Sequence, residues 1–91
     1  MSDIAKTLQQ RQKTHGDFLG VAITAQTIKS QFPPSFRESH PAVLIEGLDM
    51  IASKLARICE GNPLNSDHWH DIAGYATLVE QFISSQKEDS E

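Results

Sequence analysis

A single cysteine, Cys59, stands among the 91 residues. It cannot close a disulfide within the chain or build a multi-cysteine zinc site, which excludes a disulfide-stapled scaffold and fits a reducing compartment. Long apolar runs are missing as well: no stretch reaches the roughly 18 apolar residues of a spanning helix. The opening Met-Ser-Asp-Ile-Ala-Lys lacks the apolar segment of a secretion signal. There is no basic excess. Eight Lys and Arg against twelve Asp and Glu leave a net charge of −4, which argues against a general DNA, RNA or membrane binder. Gly16, Gly20, Gly47, Gly61 and Gly74 form no phosphate-cradling loop. The expectation is a soluble protein of the cytoplasm, with no membrane partner and no cofactor.

What is present reads as one domain. Hydrophobic residues make up 38%, low for a self-sufficient fold but too patterned for disorder. A thin core of this kind is commonly supplemented by oligomerisation. Prolines and glycines divide the chain: His15-Gly16-Asp17 is one break, Pro33, Pro34 and Pro41 bracket a second, and Gly61-Asn62-Pro63 marks a third. β-Branched residues are scattered and no segment alternates for long, so strands fit badly. The expected fold is all-α, a compact bundle of about four helices over residues 1–86, with a polar tail at 87–91 that frays.

The first helix is expected from Ser2 or Asp3 to about Lys13, with Ile4 and Leu8 as a narrow stripe and Gly16 as its stop. A second, over Phe18 to Gln31, carries Phe18, Val21, Ala25, Ile28 and Phe32 on one face. Pro33 to His40 reads as an irregular connection. Pro41 opens a third helix, whose Leu44, Leu48, Ile51, Leu55 and Ile58 recur at heptad-like spacings. The last helix, capped by Ser66 or Asp67, shows Trp69, Ile72, Ala73, Ala76, Val79, Phe82 and Ile83. Gly47 and Gly74 lie mid-helix, where glycine costs up to about 1 kcal/mol against alanine. Close approach between helices, within the chain or between chains, is their expected use.

Several constellations invite chemistry. Asp67-His68-Trp69-His70-Asp71 holds two imidazoles and two carboxylates. His68 and His70, however, point about 160° apart on a helix and cannot share an ion, while Asp67 suits the positive helix end. A histidine–aspartate hydrolase would need His40, His70-Asp71 and a late aspartate, for which only Asp89 is available. A magnesium-dependent, all-helical nucleotide hydrolase could draw on Glu46, Asp49, Asp67 and Asp71. The structural alternative pairs Asp71 or Glu46 with Lys54 and Arg57. Cys59 reads as a small packed residue beside the apolar seam.

The order of motifs carries a resemblance. Arg11-Gln12 precedes His15-Gly16-Asp17-Phe18, and Ala25-Gln26-Thr27-Ile28-Lys29 follows. Then come Leu48-Asp49-Met50-Ile51-Ala52-Ser53-Lys54-Leu55-Ala56-Arg57-Ile58, Gly61-Asn62-Pro63 and Asp67-His68-Trp69-His70-Asp71-Ile72-Ala73-Gly74-Tyr75-Ala76. Across about residues 8–83 this resembles a family of small phage proteins that includes the second class of anti-CBASS cyclic-oligonucleotide sponges. The resemblance implies a helical protomer assembling into a homo-hexamer in the host cytoplasm. It implies immune evasion by sequestering cyclic dinucleotides between protomers, some members also taking cyclic trinucleotides, with no reaction catalysed. For the dinucleotide it implies His15 as a stacking residue, where family members often carry tyrosine, and Lys29 as the phosphate partner. The start of the second helix and Lys29 lie on the order of 16 Å apart within one chain, and antiparallel pairing of the second helix would bring His15 of one copy to Lys29 of another. For the trinucleotide the resemblance implies the turn Asn65, Ser66 and His68, where free helix N–H groups meet phosphates.

Overall fold

The structure, a computed structural model, describes residues 3–90, with side chains through Lys87. Five helices follow in order: α1 (Asp3–His15), α2 (Phe18–Ser30), α3 (Pro34–Ser39), α4 (Ala42–Glu60) and α5 (Ser66–Ser90), with no strand among the described residues. The all-α expectation therefore holds, with one helix more than expected. The helices pack together lengthwise into a body of 58 × 25 × 24 Å. Its radius of gyration is 16.0 Å, where about 12 Å would suit a rounded domain of this length.

The additional helix is α3, in the segment expected to be irregular. Pro33 ends α2 and adopts an extended conformation (φ −60°, ψ 140°), and Pro34 takes the first helical position, where its missing N–H is not needed. The Pro33 carbonyl accepts the amides of Phe36 at 2.9 Å and Arg37 at 3.2 Å. The same logic moves the start of α4: Pro41 is the N-cap residue and Ala42 the first of the helix. At the far end, α5 runs on through Ser90. Residues 87–90 of the polar tail are helical, and Glu91 lies outside the described residues.

α4 is the central element, packed along α5 and α2, with α1 against α2 and α4. Its leucine seam is not its most buried line. Gly47, Ala52, Ala56 and Ile58 are buried, whereas Leu44, Leu48 and Ile51 are half-buried and Leu55 is exposed. The cause is that α4 lies between two neighbours, and small residues let both helix axes come close. Ala56 meets Val21 and Ala25 of α2 in the core. A Cβ at Gly47 would collide with Val79 of α5, whereas one at Gly74 would meet nothing. The close-approach role thus falls to Gly47 within the protomer, and Gly74 faces open space. Phe18, expected on the inner stripe of α2, is 77% exposed, and Leu19, Ile23, Ile4 and Leu8 are exposed beside it.

Candidate functional site

The end of α1 is clamped to the α4–α5 junction by a short set of backbone contacts. Gly16 adopts φ +83°, a conformation open to glycine at little steric cost, and its amide closes on the Gln12 carbonyl at 3.0 Å. Glu60 packs where a Gly16 side chain would stand, and Gly61 lies so close to the Thr14 carbonyl that a Cβ would clash. The Thr14 carbonyl oxygen accepts two hydrogen bonds, from the Asn62 amide at 3.1 Å and from His68 Nε2 at 3.1 Å. Glu60 Oε1 accepts the Thr24 hydroxyl proton at 2.8 Å, tying α4 to α2.

This clamp opens a groove of about 460 Å³ between α1, α2 and α4, whose lining includes Leu8, Arg11, Gln12, His15, Phe18 and Arg57. Its size falls within the usual range for small-molecule sites. Arg11 and His15 are four residues apart and share a face of α1. Arg57 arrives from α4. The groove therefore presents two guanidinium groups, an imidazole and an exposed phenyl ring, the chemistry that meets phosphates and bases. His15 is half-buried and contacts His68 edge-on, with ring centroids 4.9 Å apart and planes at 67°. Burial pushes its imidazole below the ordinary value, and the neighbouring His68 ring and the charges of Arg11, Arg57 and Lys54 push the same way.

The other expected site residues are distributed differently. Lys29 is near the far end of α2, outside the groove lining. It is half-buried, and its charge bears on Asp49. The trinucleotide set separates. Asn65 is the cap of α5, its Oδ1 accepting the Asp67 amide at 3.0 Å, a role expected of Ser66 or Asp67. Ser66 is exposed. His68 is 1% exposed, turned inward to Thr14 and away from solvent, so within the protomer it is a core residue and not a ligand contact. Since a carbonyl only accepts, neutral His68 carries its proton on Nε2, which leaves Nδ1 buried without a partner.

Of the four carboxylates proposed for a magnesium site, Glu46, Asp49, Asp67 and Asp71, two are committed to ion pairs. Asp49 receives Arg37 through two contacts, at 2.6 and 3.1 Å, and that hydrogen bonding holds its carboxyl below the usual range. Asp71 meets Lys54 at 2.8 Å and is lowered in the same way. No three His, Cys, Asp or Glu side chains among the described residues gather closely enough to hold a metal ion. His40 stacks on Phe36 in the α3 segment, with centroids 4.0 Å apart; the Asp89 side chain lies outside the described residues. Cys59, expected to be packed, is exposed.

Arg11, Gln12, Phe18 and Arg57 were not among the site residues expected from sequence. The four-residue spacing of Arg11 and His15 was a usable signal; the approach of Arg57 was not, because it depends on how α4 docks. A second groove, of about 400 Å³, lies between α4 and α5 against Val43, Met50, Tyr75 and Leu78, and is almost wholly apolar. No helix among the described residues is long and apolar enough to cross a membrane. Against family models, curated proteins and solved structures, the chain finds no match.

Proposed function

We propose that this chain is a non-catalytic binding protein that captures cyclic oligonucleotides, cyclic dinucleotides first, in the groove between α1, α2 and α4. One observation carries the reading: a chain of net charge −4 concentrates Arg11, Arg57 and His15 in one concave site beside the exposed ring of Phe18. Guanidinium groups suit phosphates, and flat rings suit bases. The resemblance to phage anti-CBASS sponges supplies the ligand class and the role, immune evasion in the host cytoplasm. The competing reading, a metal-dependent hydrolase, loses support from the pairing of Asp49 with Arg37 and Asp71 with Lys54.

The same reading makes the working unit an oligomer, a homo-hexamer by resemblance. The protomer exposes 6591 Å², against about 5300 Å² for an ordinary globule of this mass. α2 has apolar side chains on both sides: Val21 and Ala25 face α4, and Leu19 and Ile23 are left uncovered. Antiparallel pairing of two α2 helices would cover Leu19 and Ile23 and carry Lys29 of one copy toward His15 of the other, keeping both residues in the dinucleotide site. The trinucleotide role rests on Asn65 and Ser66 at the start of α5, with His68 supporting from within.

The test is incubation with cyclic dinucleotides, followed by heat release and mass spectrometry. Intact ligand is expected; linear or shortened products that disappear with EDTA overturn the reading in favour of hydrolysis. In calorimetry, Arg57→Ala is expected to weaken binding roughly ten- to a hundredfold, the worth of a charge-assisted contact. Lys29→Ala is expected to weaken it as well, and His15→Tyr to preserve it. Parent-like affinity in Arg57→Ala would remove the groove from the site.

A further inference from the structure

We propose that the groove takes up its phosphate anion together with a proton, carried by His15. The inference deepens the cyclic-nucleotide reading and rests on it. It begins from the groups around the ring. From α1, Arg11 lines the groove beside His15, and from α4 Arg57 lines it too. Lys54 of α4 adds a more distant positive charge, offset by its ion pair with Asp71 of α5. Also from α5, the buried ring of His68 meets His15 edge-on. The acids nearby in the fold are placed otherwise: Glu60, packed over Gly16, accepts the Thr24 hydroxyl, and Asp17 is exposed at the head of α2. Lys29 is the only charged residue within α2, and it lies near the far end.

The free groove thus surrounds a half-buried imidazole with positive charge, which favours its neutral form. The Thr14 hydroxyl donates its one proton to the Arg11 carbonyl at 3.4 Å, so Nδ1 of His15 donates to the Thr14 oxygen at 2.9 Å, which leaves Nε2 unprotonated and available to the groove. An anion seated between Arg11 and Arg57 offsets that positive charge and favours the protonated ring. The proton then comes from solvent to Nε2, which becomes a charged donor to a phosphate oxygen. No bond in the ligand breaks. His68 is a positioning residue: by holding the Thr14 carbonyl and bracing the His15 ring, it keeps the imidazole at the wall of the groove.

The test follows the ring protons of all four histidines by NMR from pH 5 to 8, without and with cyclic di-AMP, whose phosphodiesters do not titrate there. On binding, the His15 midpoint is expected to rise by about one unit, which makes the affinity roughly tenfold tighter at pH 5 than at pH 8. His40, stacked on Phe36, serves as the unmoved control. His15→Gln is expected to bind more weakly at low pH, with a flat pH profile. Perturbation of groove signals with an unmoved His15 midpoint overturns the proton coupling and leaves nucleotide binding standing. A pH dependence that persists in His15→Gln does the same. If neither cyclic di-AMP nor cyclic di-GMP perturbs the groove, both readings fall together.

Discussion

His68 reaches back 54 positions along the chain to place its Nε2 3.1 Å from the Thr14 carbonyl oxygen. Through that contact the first turn of α5 grips the last turn of α1, and the same oxygen also holds the Asn62 amide. The grip fixes the backbone from which His15 enters the groove. His68→Ala removes a buried ring and the hydrogen bond together. A loss of about 2–4 kcal/mol is expected, read from the urea midpoint, with His15 ring signals in NMR broadened or shifted. An unchanged midpoint would show that α1 is held by other contacts.

Gly47 and Gly74 are both mid-helix, but their surroundings differ. Gly47→Ala forces Val79 to move, and a β-branched side chain has few rotamers to yield into. A cost of about 1–3 kcal/mol from overpacking outweighs the helix-propensity gain of about 1 kcal/mol. Gly74→Ala, with open space around it, should collect that gain in the protomer. Thermal melts of the two variants should therefore move in opposite directions.

Stability should fall on acidification in two stages. The His15 imidazole is lowered in the fold, so the unfolded chain takes its proton first, near the ordinary value of about 6.5, and the folded state loses ground as pH drops below that. Asp49 and Asp71 are also lowered, chiefly by their bonds to Arg37 and Lys54. Their contribution is present above about pH 4 and is lost as pH falls through their folded values. Urea midpoints from pH 8 to 3 should step down in both windows. Asp49→Asn should flatten part of the lower step, and His15→Gln the upper one.

Ile23 is 60% exposed in the protomer, whereas Leu48 is half-buried. If α2 is an inter-protomer face, Ile23→Glu should reduce the mass seen by light scattering while leaving helical circular dichroism intact. Leu48→Asp should unfold the chain. A parent protein that scatters as a single 10.1 kDa chain at micromolar concentration would count against the oligomer.

The helical class and most boundaries were legible in sequence because they depend on local chemistry. Prolines that lack an N–H, a glycine free to take positive φ at position 16, and apolar residues at three- and four-residue spacings act within a turn or two of the chain. The same local cues missed α3, because Pro33-Pro34 reads as a break although the second proline is suited to open a new helix. They also favoured the large residues of α4 as its buried line. What tertiary structure decided was which side of each helix finds a partner. Wedged between α2 and α5, α4 buries Gly47, Ala52 and Ala56 along with Ile58, because close helix axes favour small residues where they approach. His68, read as part of an exposed turn, is buried because α5 docks on the end of α1. The groove has the same origin: Arg11 and His15 share a helix face by spacing alone, but Arg57 lies more than 40 positions away, and only the docking of α4 against α1 and α2 brings its charge to theirs.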